Sequence, residues 1–158
     1  MFLKKSTTMT GRINDTDEEA PFWFAQAIAY YESSKILEDS PSEYKNFPII
    51  TLQAFSVECS LKYILLHSVG GNKWGHNLYE LFNELPGNIK DDICNKFKFL
   101  YDDENFNQYL IEISKYFISS RYYFDELKKS YFGRGFSNGH LNAISGFLIE
   151  YSQNNENF

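Results

Sequence analysis

Three charged residues stand where helical periodicity calls for apolar ones: Glu58, Lys62 and Arg121. A buried charge is costly unless it is paired and hydrogen-bonded. Arg121 lies in FISSRYYFDE, residues 117–126, in line with Leu110, Ile113, Phe117 and Phe124 on one helical stripe. The least costly arrangement lets its planar guanidinium grip the Glu58 carboxylate at two points across the molecule. Lys62, one turn after Glu58, and Arg121 would then both face a cleft and be available to a phosphate. Structural roles stay open beside this one. Arg121 can act as a clamp on helix register or carry its head out to solvent, and Glu58–Lys62 can be an ordinary i,i+4 pair.

A second set pairs a cation with a general acid–base: Arg134 and His140 in RGFSNGH. A histidine can move a proton, and an arginine can stabilise developing negative charge. Two glycines between them place the pair on a loop, with Ser137 or Asn138 as the N-cap of the next helix and His140 as a first-turn surface residue. His76 opens a short helix and is read as a structural cap, and His67 as a surface residue near a helix end. The acidic groups 17–19 and 102–104 sit at or just before helix starts, where the dipole favours carboxylates, so no metal site is expected. No HExxH, Cys-x-x-Cys or P-loop occurs, and no cofactor is expected.

The elements that must position these residues read as helices. PFWFAQAIAYYESSKILED fits a first helix at about 19–38, with Thr16 and Glu19 in capping-box spacing and Pro21 in the first turn. TLQAFSVECSLKYILLHSV is the second, with Pro48 in its first turn and Gly70-Gly71 at its end. At 100° per residue it carries two apolar stripes, one through Ile50, Ala54, Val57, Leu61, Ile64 and Leu65, the other through Leu52, Phe55, Cys59 and Leu66. Gln53, Ser56 and Ser60 form its one clearly polar face. It is therefore expected to be buried over most of its circumference, with Glu58 and Lys62 near the interior. NLYELFNEL is a short helix halted at Pro86-Gly87, IKDDICNKFKFLYDD another, residues 104–127 a long one, and HLNAISGFLIEYS the last. No strand alternation or internal repeat is present. The expectation is an all-α up-and-down bundle of five or six helices, with a flexible arm at 1–15, one domain at 16–152 and a frayed tail at 153–158.

Composition narrows the partners. The chain has 158 residues and a net charge of −6, with 15 Lys and Arg against 21 Asp and Glu. Nucleic-acid affinity is mostly phosphate neutralisation, so any RNA or nucleotide would need a local basic site. Two cysteines without ligand spacing fit a reduced chain, and no signal-length apolar segment opens the sequence, so a cytoplasmic location and no membrane association are expected. Aromatic residues crowd the first helix, where Phe22, Trp23, Phe24, Tyr30 and Tyr31 cover more than one face. An exposed remainder would suit a dimer interface.

The runs AFSVECSLKYIL, GHNLYELFNEL and FISSRYYFDE resemble a HEPN domain over roughly residues 20–150. The matching positions are Glu58 and Lys62 in helix two, then Gly75-His76 with Leu78 and Leu81, then Phe117, Arg121, Tyr122 and Glu126. The resemblance implies a helical bundle, often a homodimer, that binds a nucleotide or RNA. It also implies a setting in defence or toxin–antitoxin regulation, with a nucleotidyltransferase or other protein as cognate partner. Ribonuclease members carry Arg-x4-6-His, and here the corresponding positions after Arg121 hold Glu126, Leu127 and Lys128. The reading is thus a binding protein without ribonuclease activity at Arg121. The alternatives are a metal-independent endoribonuclease using Arg134 and His140, or an interaction module in which the charges only fix packing.

Overall fold

The computed structural model describes residues 16–71, 75–119 and 139–155. Arg121, Tyr122, Glu126, Arg134, the arm at 1–15 and the end of the tail lie outside the described residues. All the regular structure within them is helical: α1 (Thr16–Glu38), α2 (Asn46–Val69), α3 (Leu78–Asn83), α4 (Gly87–Tyr101), α5 (Phe106–Ser119) and α6 (Gly139–Asn154). The architecture is a bundle of six described helices with α2 at its centre, flanked by α1, α3, α5 and α6.

α2 is the hub because nearly all of its surface is covered, including the face that composition marks as polar. Gln53, Ser56 and Ser60 are all 0% exposed. Their small or slender side chains let neighbouring helices approach closely. Ser56 Oγ donates to the Ala27 carbonyl of α1 at 2.8 Å, and Gln53 Nε2 donates to Asn142 Oδ1 of α6 at 3.2 Å. α2 is also long and apolar enough to cross a membrane by length and composition, but 78% of that stretch is buried inside the bundle, as befits a core helix.

Away from α2, aromatic edges tie the remaining helices together. Phe97 of α4 meets Phe106 of α5 at 5.0 Å between ring centroids and Phe147 of α6 at 5.4 Å, and Phe106 meets Phe82 of α3 at 5.3 Å. Tilted and edge-on pairs at these separations add to the stabilisation from area burial. Tyr151 of α6 donates its hydroxyl to Asp92 Oδ2 of α4 at 2.8 Å. Gly146 of α6 permits close approach to α1, since a Cβ there would lie 3.0 Å from the Tyr31 hydroxyl.

Several expected boundaries move. α1 begins at Thr16, so Thr16 is a helical residue and Pro21 lies inside the helix, beyond its first turn. α3 stops at Asn83, before Pro86, and Pro86 serves as the N-cap of α4, which Gly87 opens. Pro86 has φ −53 and ψ 145, extended geometry that turns the chain directly into the next helix. Asp102 ends α4 in the left-handed region at φ 51, which short polar side chains tolerate. Asp103 Oδ1 then accepts the Asn105 N–H at 2.9 Å, leading into α5.

The two buried serines of α2 should respond in opposite ways. Ser56→Ala removes the hydrogen bond that ties α2 to the Ala27 carbonyl of α1, at a cost of about 1 kcal/mol. Ser60 Oγ has no hydrogen-bond partner among the described residues, so Ser60→Ala should leave stability unchanged or raise it. Urea unfolding midpoints of the two variants, compared with wild type, check both signs.

Candidate functional site

Glu58 and Lys62 fall one turn apart on α2, which brings an ammonium beside a carboxylate without any tertiary help. Both are buried, at 4% and 8% exposure, and Lys62 Nζ donates to Glu58 Oε1 at 2.8 Å. Two further groups close over them. The indole of Trp23 on α1 lies 4.8 Å from Lys62 Nζ, a cation–π contact. His76, from the connection between α2 and α3, brings Nδ1 to 3.0 Å from the same Glu58 Oε1. A carboxylate only accepts, so the His76 ring carries its proton on Nδ1.

Local sequence explains how His76 arrives. Gly70 ends α2 with φ 72, donating its N–H to the Leu66 carbonyl. Gly75 takes φ 133, a value that residues with side chains rarely adopt, directly before the histidine. His76 does not cap α3. Asn77 is the cap, its side chain accepting from the N–H groups of Tyr79 and Glu80 at 3.1 and 3.2 Å. Relieved of that role, His76 is free to reach back to α2. Its side chain is 52% exposed, so it joins the buried pair to solvent.

Glu58 has one unspent acceptor. Oε1 serves both Lys62 and His76, while Oε2 is buried and has no hydrogen-bond partner among the described residues. A buried carboxylate oxygen left in that state is costly, so the arrangement is suited to one more N–H or cationic donor. Beside it, the Cys59 thiol is pushed up to about 12, by burial first and then by the Glu58 charge, which keeps it from acting as a nucleophile. Among the described residues no group of three His, Cys, Asp or Glu side chains converges to hold a metal ion.

His140 belongs to a different cluster. It is exposed in the first turn of α6, and its ring stacks on Tyr109 of α5 with centroids 3.8 Å apart and planes 14° from parallel. Tyr109 donates its hydroxyl to Asp103 Oδ2 at 2.6 Å, and this bond holds the phenol above its ordinary pKa. His67 is exposed near the end of α2, edge-on to Tyr63 at 4.5 Å.

With these contacts in place, the family comparison can be read against them. The family model described as the HEPN domain matches residues 20–134, which spans α1 to α5 and every residue of the Glu58 cluster. The chain belongs to the HEPN domain family. Comparison with curated proteins and with solved structures finds no match. Within this bundle the connection to α3 and one face of α1 both meet the charge that α2 carries at its enclosed middle.

Sequence reasoning placed Glu58 and Lys62 in the interior but did not find Trp23 or the His76–Glu58 contact. The signal for the second was present in Gly75-His76, since a glycine before a histidine lets a connection double back. Cutting the pair on one side should be costly and cutting both sides less so. Lys62→Met should lower stability by about 3 kcal/mol, because it leaves a buried carboxylate without its ammonium, whereas adding Glu58→Gln to it should restore much of that loss. A denaturant-unfolding double-mutant cycle measures the coupling.

Proposed function

We propose that this HEPN-domain protein binds a phosphate-bearing ligand, a nucleotide or RNA, at the Glu58–Lys62–Arg121 set and does not cleave RNA at Arg121. The observation that carries this reading is the buried Oε2 of Glu58, which has no partner among the described residues. An arginine is the donor best matched to it. A guanidinium has five N–H groups in a fixed fork, so two can hold the carboxylate while the others remain for phosphate oxygens. Tyr122 and Glu126 on the same segment would orient Arg121. With a net charge of −6, the protein gains nothing from diffuse attraction to phosphate. Affinity then rests on this local geometry. The residues five to seven after Arg121 are Glu126, Leu127 and Lys128, and none of them is the histidine that 2′-hydroxyl activation calls for. Cytoplasmic action as a homodimer, in defence or toxin–antitoxin regulation with a cognate protein partner, is the setting that fits a family member of this kind.

Labelled ATP and a short labelled RNA test the reading by equilibrium binding. Wild type should bind at least one of them, and Arg121→Ala should weaken that binding about tenfold or more with its thermal unfolding still cooperative. Unchanged affinity in a folded Arg121→Ala protein would sink the proposal and leave the charges a packing role.

The exposure of His140 favours one second reading, an endoribonuclease using Arg134 and His140. A solvent-facing imidazole held against Tyr109 is accessible to a 2′-hydroxyl. Incubating labelled RNA without metal, with wild type and with His140→Ala, separates the two. Cleavage abolished in the variant supports the nuclease, and any residual cleavage that persists unchanged removes it.

A further inference from the structure

The apolar stripe of α4 outlasts the core that it serves. Ile89, Ile93 and Phe97 are buried on one face. Leu100 continues that face, three residues after Phe97 and seven after Ile93, yet it is 57% exposed. Its neighbours Phe99 and Tyr101 are 88% and 45% exposed. Beside them runs a groove of about 270 Å³ between α4 and α6, with Phe147 and Tyr151 on the α6 side and Lys96 and Glu150 also lining it. Three consecutive large side chains left open at the mouth of a groove are an interaction surface in need of an occupant.

Charge selects the occupant. Both nearby cations are already engaged, Lys96 with Asp92 at 2.9 Å and Lys98 with Glu104. Asp103 is taken by Tyr109 and Asn105. Glu150 and Asp102 are exposed and make no hydrogen bond or ion pair among the described residues. Among the described residues around Phe99–Tyr101 and the turn that follows, carboxylates therefore outnumber ammonium groups, with Lys98 also acted on by Asp102. A second copy of the chain, itself at −6, would bring the same acidic surroundings against these. Nucleic acid and anionic lipid would be repelled likewise.

We infer that this surface docks a basic amphipathic helix of a partner protein. Its apolar face lies on Phe99 and Leu100 and enters the groove, and its Lys or Arg residues meet Glu150 and Asp102. This is helix-in-groove recognition, with apolar anchors for affinity and charge for selection. It does not depend on the ligand proposed for Glu58, Lys62 and Arg121.

Two synthetic helical peptides with the same Leu and Phe face, one flanked by Lys and Arg and the other by Glu, test it against the isotope-labelled full chain by NMR titration. The basic peptide should bind and shift amides of residues 96–101 and 147–155. The acidic peptide should bind about tenfold more weakly or worse. Leu100→Ser and Glu150→Lys, both at exposed positions and checked for cooperative unfolding, should each weaken the basic peptide about tenfold. Equal binding of the two peptides, no binding of the basic one, or affinity indifferent to both substitutions would overturn the inference. So would sedimentation showing that wild type self-associates and Phe99→Ser does not, which would give the surface to a second copy.

Discussion

A carboxylate and an ammonium sealed into the middle of the most enclosed helix constrain everything packed around them. At 4% and 8% exposure, Glu58 and Lys62 have lost most of their hydration, and a single contact between them does not replace it. The bundle answers with what it can bring to that point. α1 supplies an aromatic face to the ammonium, and the connection before α3 supplies an imidazole to the carboxylate. Moving α1 along α2 by one turn would withdraw Trp23 from Lys62, and straightening the connection at Gly75 would withdraw His76 from Glu58. The charge pair thus meets its neighbours at defined points, Trp23 on α1 and His76 before α3.

The small polar face of α2 does complementary work. A helix wheel marks Gln53, Ser56 and Ser60 as polar, and hydropathy places such residues outside. Their size matters more than their polarity here. Serine is scarcely larger than alanine, so a serine face lets two backbones approach closely, and its hydroxyl can be satisfied by a carbonyl of the facing helix. Ser56 does this with Ala27. Helical periodicity was therefore enough to read α2 as a buried helix with interior charges, while the identity of its closest neighbour was not legible, because that depends on steric fit between elements remote in sequence.

The same division runs through the rest of the chain. Glu58–Lys62 was legible because an i,i+4 spacing is local. His76–Glu58 spans 18 positions and turns on one glycine's conformation. Asn77 took the cap expected of His76 because an Asx side chain reaches the N–H groups of the next two or three residues with the least reorganisation. Pro86-Gly87 was correctly a break, but proline is as favourable in starting a helix as in stopping one, and α4 starts there.

Two regions of this protein therefore treat charge in opposite ways. At the Glu58 cluster a carboxylate is removed from water and keeps one acceptor oxygen without a partner among the described residues, so whatever satisfies it must bring an N–H or O–H donor in a fixed direction. Around Phe99–Tyr101 carboxylates remain in water, act at longer range and are screened by salt, so they can favour a basic partner without fixing its orientation. Orientation there has to come from the aromatic and aliphatic side chains of the groove. A net charge of −6 gives diffuse repulsion of phosphate, so under the proposed function affinity has to come from donors aligned locally by the buried carboxylate, where solvent weakens them least.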